Sequence, residues 1–180
     1  MKRQMHSAQQ YQAEAEQGGF HYGNYGKTGS GTCQLGPVHI SGDLKLTGSI
    51  GIELQGTVYV DGKIRMSGSS YVVGPSTLVA EGDITVTGSG HLDPDELPVI
   101  MSVYGDIQCS GSSETSAVLY APNAEVELVG SASVYGAVVG YSVGTTGSSV
   151  ISYPIELRDR EDLPCDPHGG SPEILTYTIE

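Results

Sequence analysis

The sequence has no tryptophan, one phenylalanine and only eight Lys and Arg residues among its 180 residues. With a formal net charge of −13, it lacks the clustered positive charge that nucleic acids and anionic membrane surfaces require. We therefore predict no nucleic-acid partner. No apolar run approaches the roughly 18 to 20 residues of a membrane helix, and no secretory signal is visible. We predict no membrane segment in this chain.

Cysteine is also scarce. The three cysteines are Cys33, Cys109 and Cys165, and an odd number cannot all pair in internal disulfides. Cys165 and His168 offer two soft ligands, whereas a closed zinc site needs four. We favour a chance pairing in a loop, and we predict no metal and no cofactor. The roles of Cys33 and Cys165 stay open.

Glycine, in contrast, is abundant, with 26 residues. So much glycine excludes a helical globule, because glycine is costly inside helices. The hydrophobic fraction is nevertheless 38%, and much of it lies in alternating Val and Ile runs that can bury apolar surface. These runs argue against disorder in the middle of the chain.

A nine-residue pattern recurs six times. In the strongest copies it reads Gly, then Asp or Lys, then apolar-x-apolar, then Ser/Thr-Gly-Ser. The copies span residues 41–49, 61–69, 81–89, 104–112, 123–131 and 140–148. The second glycine falls at positions 48, 68, 88, 111, 130 and 147, so the spacings are 20, 20, 23, 19 and 17. This period fits one solenoid coil per repeat, and the longest spacing contains an insertion at residues 93–98.

Each repeat predicts three short strands and three corners. We therefore predict an all-β fold, a single-stranded and right-handed parallel β-helix of about six coils. Residues 1–32 would form a flank or cap with a short helix from Ser7 to Gln17. Residues 33–153 would form the solenoid, and residues 154–180 an extension whose run from Glu173 to Glu180 alternates like a strand.

Alternation within strands predicts the residues that face the core. Two stacked columns follow from the repeat: Leu44, Ile64, Ile84, Ile107, Val126 and Val143, and Leu46, Met66, Val86, Cys109, Leu128 and Thr145. A further set of inward pairs is predicted before the motif: Val58 with Val60, Leu78 with Ala80, and Met101 with Val103. The column places Cys109 inside as an inert thiol.

Glycines at the corners are the residues that we single out for the fold. They are Gly42, Gly48, Gly62, Gly68, Gly82, Gly88, Gly105, Gly111, Gly130 and Gly147. We expect them to supply the positive φ that tight corners need. The acids Asp43, Asp83 and Asp106 recur beside them, and we expect each to bond the backbone of its own turn.

Two stretches carry a family resemblance. Residues 118–128 read Val-Leu-Tyr-Ala-Pro-Asn-Ala-Glu-Val-Glu-Leu, and residues 130–139 read Gly-Ser-Ala-Ser-Val-Tyr-Gly-Ala-Val-Val, followed by Ser142-Val143 and Val150 to Tyr153. Together with the Gly-Asp-Ile repeats, they resemble the β-helical C-terminal domain of PilX-type proteins associated with type IV pili, and more loosely bactofilins. The resemblance covers about residues 36–157. It implies a surface or pilus-associated role and no catalytic residues, although the hydrophobic N-terminal helix typical of such proteins has no counterpart in these 180 residues.

We therefore expect a non-enzymatic structural or assembly module, extracellular or on the cell surface. Its expected partners are further copies of itself, through its ends or terminal strands, or other pilus and surface proteins. One alternative is an intracellular bactofilin-like polymer.

The other alternative is a β-helix that binds or acts on carbohydrate. Stacking residues for it would come from a tyrosine set: Tyr71, Tyr104, Tyr120, Tyr135, Tyr141 and Tyr153. Asp93, Asp95 and Glu96 on the insertion could bind Ca²⁺ weakly, but a solvated turn is the simpler interpretation. The outward column beside the core contains Lys45, Arg65 and Glu127, and such charges argue against an ice-binding lattice.

Overall fold

The chain folds into one parallel β-sheet wound as a solenoid, preceded by a short helix. The structure is a computed structural model, and it describes residues 7–88, 97–160 and 164. The elements are helix α1 (Ala8–Glu16), strands β1 (Phe20–His21), β2 (Tyr25–Leu35), β3 (Val38–Ile40), β4 (Leu44–Leu54), β5 (Val58–Val60), β6 (Ile64–Gly68), β7 (Tyr71–Val73), β8 (Thr77–Ala80), β9 (Ile84–Gly88), β10 (Val99–Ser102), β11 (Ile107–Gly111), β12 (Glu114–Gly130), β13 (Ser133–Gly147) and β14 (Val150–Ser152), and a 3-10 helix at Ile155–Asp159.

The strands stack in three rows, which give the solenoid three outer faces. The outward side of β4, β6, β9, β11 and the last parts of β12 and β13 is the charged face. The outward side of β3, β5, β8, β10 and residues 118–120 of β12 is the helix-covered face. The third face contains β7, β14 and the strand segments paired with them. The predicted parallel β-solenoid is therefore confirmed.

Seven coils are present, one more than the repeat count indicated. Strand β2 pairs with β4 in parallel, so that Tyr25 lies beside Leu44 and Gly29 beside Gly48. Residues 22–30, Tyr-Gly-Asn-Tyr-Gly-Lys-Thr-Gly-Ser, are thus a further copy of the repeat. The solenoid begins ahead of the boundary drawn at residue 33, which falls inside β2. We number the coils 1 to 7 by the glycines at 29, 48, 68, 88, 111, 130 and 147.

The inner core follows the predicted columns. Leu44, Ile64, Ile84, Ile107 and Val126 lie in register on successive coils and are fully buried. Cys109 is likewise buried between coils. Burial of apolar side chains between neighbouring coils is the main stabilising term of such a repeat fold. Val143 ends the first column in coil 7 and is 47% exposed, because no described strand follows it there.

A second apolar cluster lies outside the solenoid, on the helix-covered face. Met101 and Val103 belong to it, together with Tyr11 of α1 and Leu157 of the 3-10 helix. The prediction that Met101 and Val103 point inward was wrong, because the inward residue of that strand is Ile100. Both faces of β10 are apolar, so alternation could not separate inside from outside.

The N-terminal helix covers a side of the solenoid, whereas we expected it to cap the first coil. It spans Ala8–Glu16, inside the predicted range, and packs on β3, β5 and β8. Tyr11 and Ala15 are its buried residues. The end of coil 1 therefore stays uncovered by this helix.

The corner glycines fall into two groups. Gly48, Gly68, Gly88, Gly111, Gly130 and Gly147 have positive φ. Gly42, Gly62, Gly82 and Gly105 do not, contrary to the expectation. At Gly42 and Gly62 a Cβ would instead collide with the side-chain oxygen of Asn24 or Asp43 from the preceding coil. This second group therefore provides space between coils.

Candidate functional site: the corner ladder, the charged face and the open ends

A ladder of hydrogen bonds runs along one corner of the solenoid. At each rung a side-chain oxygen accepts the backbone N–H of the corner residue in the next coil. The rungs join Asn24 to Asp43 at 2.8 Å, Asp43 to Lys63 at 2.8 Å, Asp83 to Asp106 at 3.3 Å, and Asp106 to Glu125 at 3.0 Å. The corner acids therefore bond the following coil, and the prediction that they bond their own turn was wrong.

Lys63 replaces an acid in this ladder, but its side chain still joins coil 3 to coil 4. Its Nζ donates to Oδ2 of Asp83 at 2.6 Å. This bond lowers the pKa of Asp83, and the N–H of Asp106 lowers it further. Both side chains are almost half exposed, so solvent screens the pair and its contribution to stability is small.

The charged face carries two outward columns beside the ladder. The first column reads Gly26, Lys45, Arg65, Thr85, Gln108, Glu127 and Gly144 from coil 1 to coil 7. The second reads Thr28, Thr47, Ser67, Thr87, Ser110, Val129 and Thr146. The cationic residues thus lie in early coils and the acid in a late one.

An open acidic groove of about 190 Å³ lies between the ladder and this face in coils 4 to 6. Its walls include Asp83, Asp106, Glu125 and Glu127. A second void, of about 10 Å³ beside Tyr71, holds at most one water molecule. Within the described ranges no cluster of three or more His, Cys, Asp or Glu side chains has the arrangement of a metal site.

Polar contacts attach helix α1 to the helix-covered face. His39 is 3% exposed, and its ring nitrogens lie 3.0 Å from Oε1 of Glu16 and 2.6 Å from Oδ1 of Asp61. Thr57 donates to Oε2 of Glu14 at 2.9 Å. A carboxylate on each side of a buried imidazole fixes the ring and the end of the helix. These groups therefore attach helix α1 to two successive coils of the solenoid.

Tyr59 extends this contact along the face. Its ring meets the His39 ring edge-on, with centroids 5.4 Å apart, and its hydroxyl donates to Glu81 at 2.9 Å. Burial, and then the bond to Glu81, raise the pKa of Tyr59. The phenol therefore stays protonated and neutral beside the carboxylate.

Both ends of the solenoid present strand edges. In coil 1, β2 pairs only with β4 among the described strands, and most of its residues are exposed. In coil 7, β14 pairs only with residues 133–135 of β13, so residues 136–147 have one edge without a described partner. Apolar side chains are exposed at this end: Val143, Val150, Ile151, Tyr153 and Ile155. Unpaired edges of this kind are templates for pairing with another chain.

The predicted tyrosine set does not share one surface. Tyr120 is buried in the outer cluster, and Tyr135 packs against it. Tyr71 accepts or donates a 2.8 Å bond with Thr32 on the third face. Tyr104 and Tyr141 are 72% and 84% exposed. The described tyrosines therefore point in several directions.

The remaining predicted positions divide by what the structure describes. Burial raises the pKa of the Cys109 thiol to about 12, as expected of an inert core cysteine. Cys33 is partly buried and packs against the inner core. Asp93, Asp95, Glu96, Cys165, His168 and the run 173–180 lie outside the described residues. No helix within the described ranges has the length and hydropathy that crossing a membrane requires.

The His39 contact and the first coil were not predicted from the sequence. The isolated His39 gave no signal by itself, because its two carboxylate partners lie 23 and 22 residues away. The first coil did leave a signal in Gly26 to Ser30, where Thr-Gly-Ser follows Lys27. In coil 1 the two inner columns contain Tyr25 and Lys27, where coil 2 has Leu44 and Leu46.

Comparison with known proteins gives a family match. The profile of a family described as "Domain of unknown function (DUF7305)" matches residues 2–160, which include α1 and all seven coils. No curated protein and no solved structure matches the chain.

Proposed function

Because the chain belongs to the DUF7305 family, whose description leaves function open, we propose from its own geometry that it is a non-enzymatic assembly module. In this proposal, copies associate end to end. The exposed edge of coil 7 in one copy adds to the exposed edge of β2 in the next copy, and this parallel pairing extends the solenoid.

The observation that carries the proposal is a pair of strand edges that have no partner among the described strands. The edge of β2 runs over Tyr25–Leu35, and the edge of coil 7 runs over residues 136–147. Addition of a strand to an open edge is a general mode of association, in which backbone hydrogen bonds supply much of the affinity. Val143 and Ile151 are exposed at this end. When another coil covers them, their apolar surface would be removed from contact with water, and this burial is favourable.

The shape of the surface also supports a structural role. Small-molecule sites are usually concave and about 300–1,000 Å³ in volume. The groove beside Asp106 is open and about 190 Å³. Asp83 in its wall is already paired with Lys63, and among the described residues no group of acids there has the arrangement of a metal site.

We further propose that the module works at the cell surface, with pili or other surface proteins as partners. The support is the resemblance of residues 36–157 to the β-helical domain of PilX-type proteins. Fractionation of producing cells tests this location, because an intracellular polymer would remain in the cytoplasmic fraction.

The end-to-end proposal is tested with charges on the coil 7 end. We expect the double variant Val143→Lys/Ile151→Lys to form no large particles in light scattering and electron micrographs. The two added lysines would be placed in the interface between copies without a counter-charge. Tyr104→Lys is the matched control, because Tyr104 is 72% exposed and lies in coil 5, away from both ends. Circular dichroism checks that each variant is folded.

Two results would overturn the proposal. One is a wild-type protein that remains monomeric at its highest soluble concentration. The other is an unchanged particle size in the Val143→Lys/Ile151→Lys variant.

A further inference from the structure

Positive charge is concentrated in the first three coils. Between residues 20 and 153 the sequence has four Lys and Arg residues: Lys27, Lys45, Lys63 and Arg65. Lys45 and Arg65 are exposed neighbours on the charged face. Farther along the same column, Gln108 donates to the carboxylate of Glu127 at 2.7 Å and holds it on that face. The face is therefore polarised along the solenoid axis.

When two copies of this column run in opposite directions, the cationic residues of one copy lie opposite the hydrogen-bond acceptors of the other. Lys45 is in coil 2 and Glu127 in coil 6, each two coils from Thr85 in coil 4. Arg65 in coil 3 and Gln108 in coil 5 are each one coil from Thr85. A two-fold axis that lies in the plane of the interface and runs along the strand of Thr85 would therefore place Lys45 opposite Glu127 and Arg65 opposite Gln108 of a second copy.

The neighbouring column allows two such faces to approach. In coils 1 to 5 it contains only Ser and Thr. The hydroxyls of Ser67 and Thr87 donate to the backbone carbonyls of Leu46 and Met66 in the preceding coils, each at 3.3 Å. These side chains are short and already bonded within the solenoid, so they form a flat strip beside the charged column.

We propose that two copies of this chain pair side by side and antiparallel through the charged face. The partner is a second copy, and the contacts are two symmetric pairs of Lys45 with Glu127, two of Arg65 with Gln108, and Thr85 with itself. A two-fold dimer uses the same patch on both copies, which is the self-complementarity that this column has. The contact goes beyond end-to-end association because it uses a different surface.

The size of the face sets the strength of the pairing. Seven coils about 4.8 Å apart, with strands of about five residues, give roughly 500 Å² on each copy. This area lies at the low end of specific interfaces, so the dimer is weak and reversible. At the rim the same axis brings Lys63 opposite Asp106, Asp43 opposite Glu125, and Asp83 opposite Asp83 of the second copy. Two attractive pairs there oppose three repulsive pairs of acids, so the attraction that selects this pairing comes from the central column.

The test is an exchange of charges, measured by sedimentation velocity. The background is Val143→Lys/Ile151→Lys, in which end-to-end association is suppressed. Alone, Lys45→Glu opposes Glu127 with a second acid, and Glu127→Lys opposes Lys45 with a second cation. We expect each variant alone to dimerise at least tenfold more weakly than its parent. An equal mixture of the two should recover dimers, because the heterodimer restores two pairs of opposite charge.

The double variant Lys45→Glu/Glu127→Lys should likewise recover the dimer. Lys27→Glu is the control, since it changes net charge as Lys45→Glu does but lies outside the outward column. Salt should weaken the parent dimer. The proposal is overturned if the parent is monomeric at low salt, if the mixture does not recover dimers, or if Lys27→Glu weakens pairing as much as Lys45→Glu. None of these results would contradict end-to-end association, which is measured with Val143 and Ile151 intact.

Discussion

Alanine substitutions at Gly68 and Gly111 distinguish two physical constraints on the corner glycines. One is the positive φ, and the other is the close approach of the preceding coil. Both residues have φ of +81° and both are exposed. A Cβ at Gly68 would lie 2.5 Å from the carbonyl oxygen of Gly48. At Gly111 the nearest described atom would be the backbone nitrogen of Gly88, 3.7 Å away. The two substitutions therefore share the strained backbone and differ in the collision.

The expected costs follow from these distances. A left-handed conformation costs an L-residue about 1–2 kcal/mol, so Gly111→Ala should lower the free energy of unfolding by about that amount. At Gly68 coils 2 and 3 must also separate by roughly 1 Å, and such overpacking typically costs about 1–3 kcal/mol more. We therefore expect Gly68→Ala to cost about 2–5 kcal/mol.

Urea unfolding followed by circular dichroism measures both costs. Hydrogen exchange locates them, and in Gly68→Ala the amides of coils 2 and 3 should exchange faster than in Gly111→Ala. Equal losses in the two variants would show that the approach of neighbouring coils does not constrain this column. A stable Gly68→Ala variant would refute the stacking geometry at this corner.

Three further predictions concern the corner ladder and the cysteines. Asp43→Ala should cost about 0.5–1.5 kcal/mol in urea unfolding because it removes the acceptor for the N–H of Lys63, whereas Asp43→Asn, which keeps an oxygen, should be nearly neutral; equal costs would contradict the ladder. Lys63 lowers the pKa of Asp83, so their pair stabilises the folded protein above the ordinary carboxyl pKa of 3.8. This contribution weakens as pH falls through the lowered pKa. In urea unfolding, Lys63→Met should therefore destabilise the protein by about 0.2–1 kcal/mol at pH 7 and by less at pH 2–3. Burial raises the pKa of Cys109 to about 12, so peptide mapping after iodoacetamide at pH 8 should find Cys33 labelled in the native protein and Cys109 labelled only after denaturation, and labelling of native Cys109 would contradict its position in the core.

The sequence was most informative where a residue has the same neighbours in every coil. Leu44, Ile64 and Ile84 occupy equivalent buried positions, so one period predicted them all. Coil 1 was missed because it has a neighbour on one side only, and Tyr25 and Lys27 are tolerated there in place of aliphatic residues.

Other features depend on distances between coils, which the local sequence does not contain. The corner acids could equally bond their own turn until the stacking places Asp43 beside the N–H of Lys63. Met101 was misassigned because helices cover the outer side of its strand, and this covering removes the usual alternation of apolar and polar residues. The contact of His39 with Glu16 and Asp61 likewise joins three separate segments.

The regular spacing of the coils makes the length of this protein a variable with two separate effects. One additional coil of about 20 residues would lengthen the rod by about 4.8 Å and give every column one more equivalent position. Local stability would hardly change, because each coil contacts only its neighbours. The midpoint of the charged column would move, however. The charged positions of a copy with eight coils would then not align with those of a copy with seven. In the proposed side-by-side dimer, the number of coils would therefore determine which copies can pair, because only copies of equal length would align their charges.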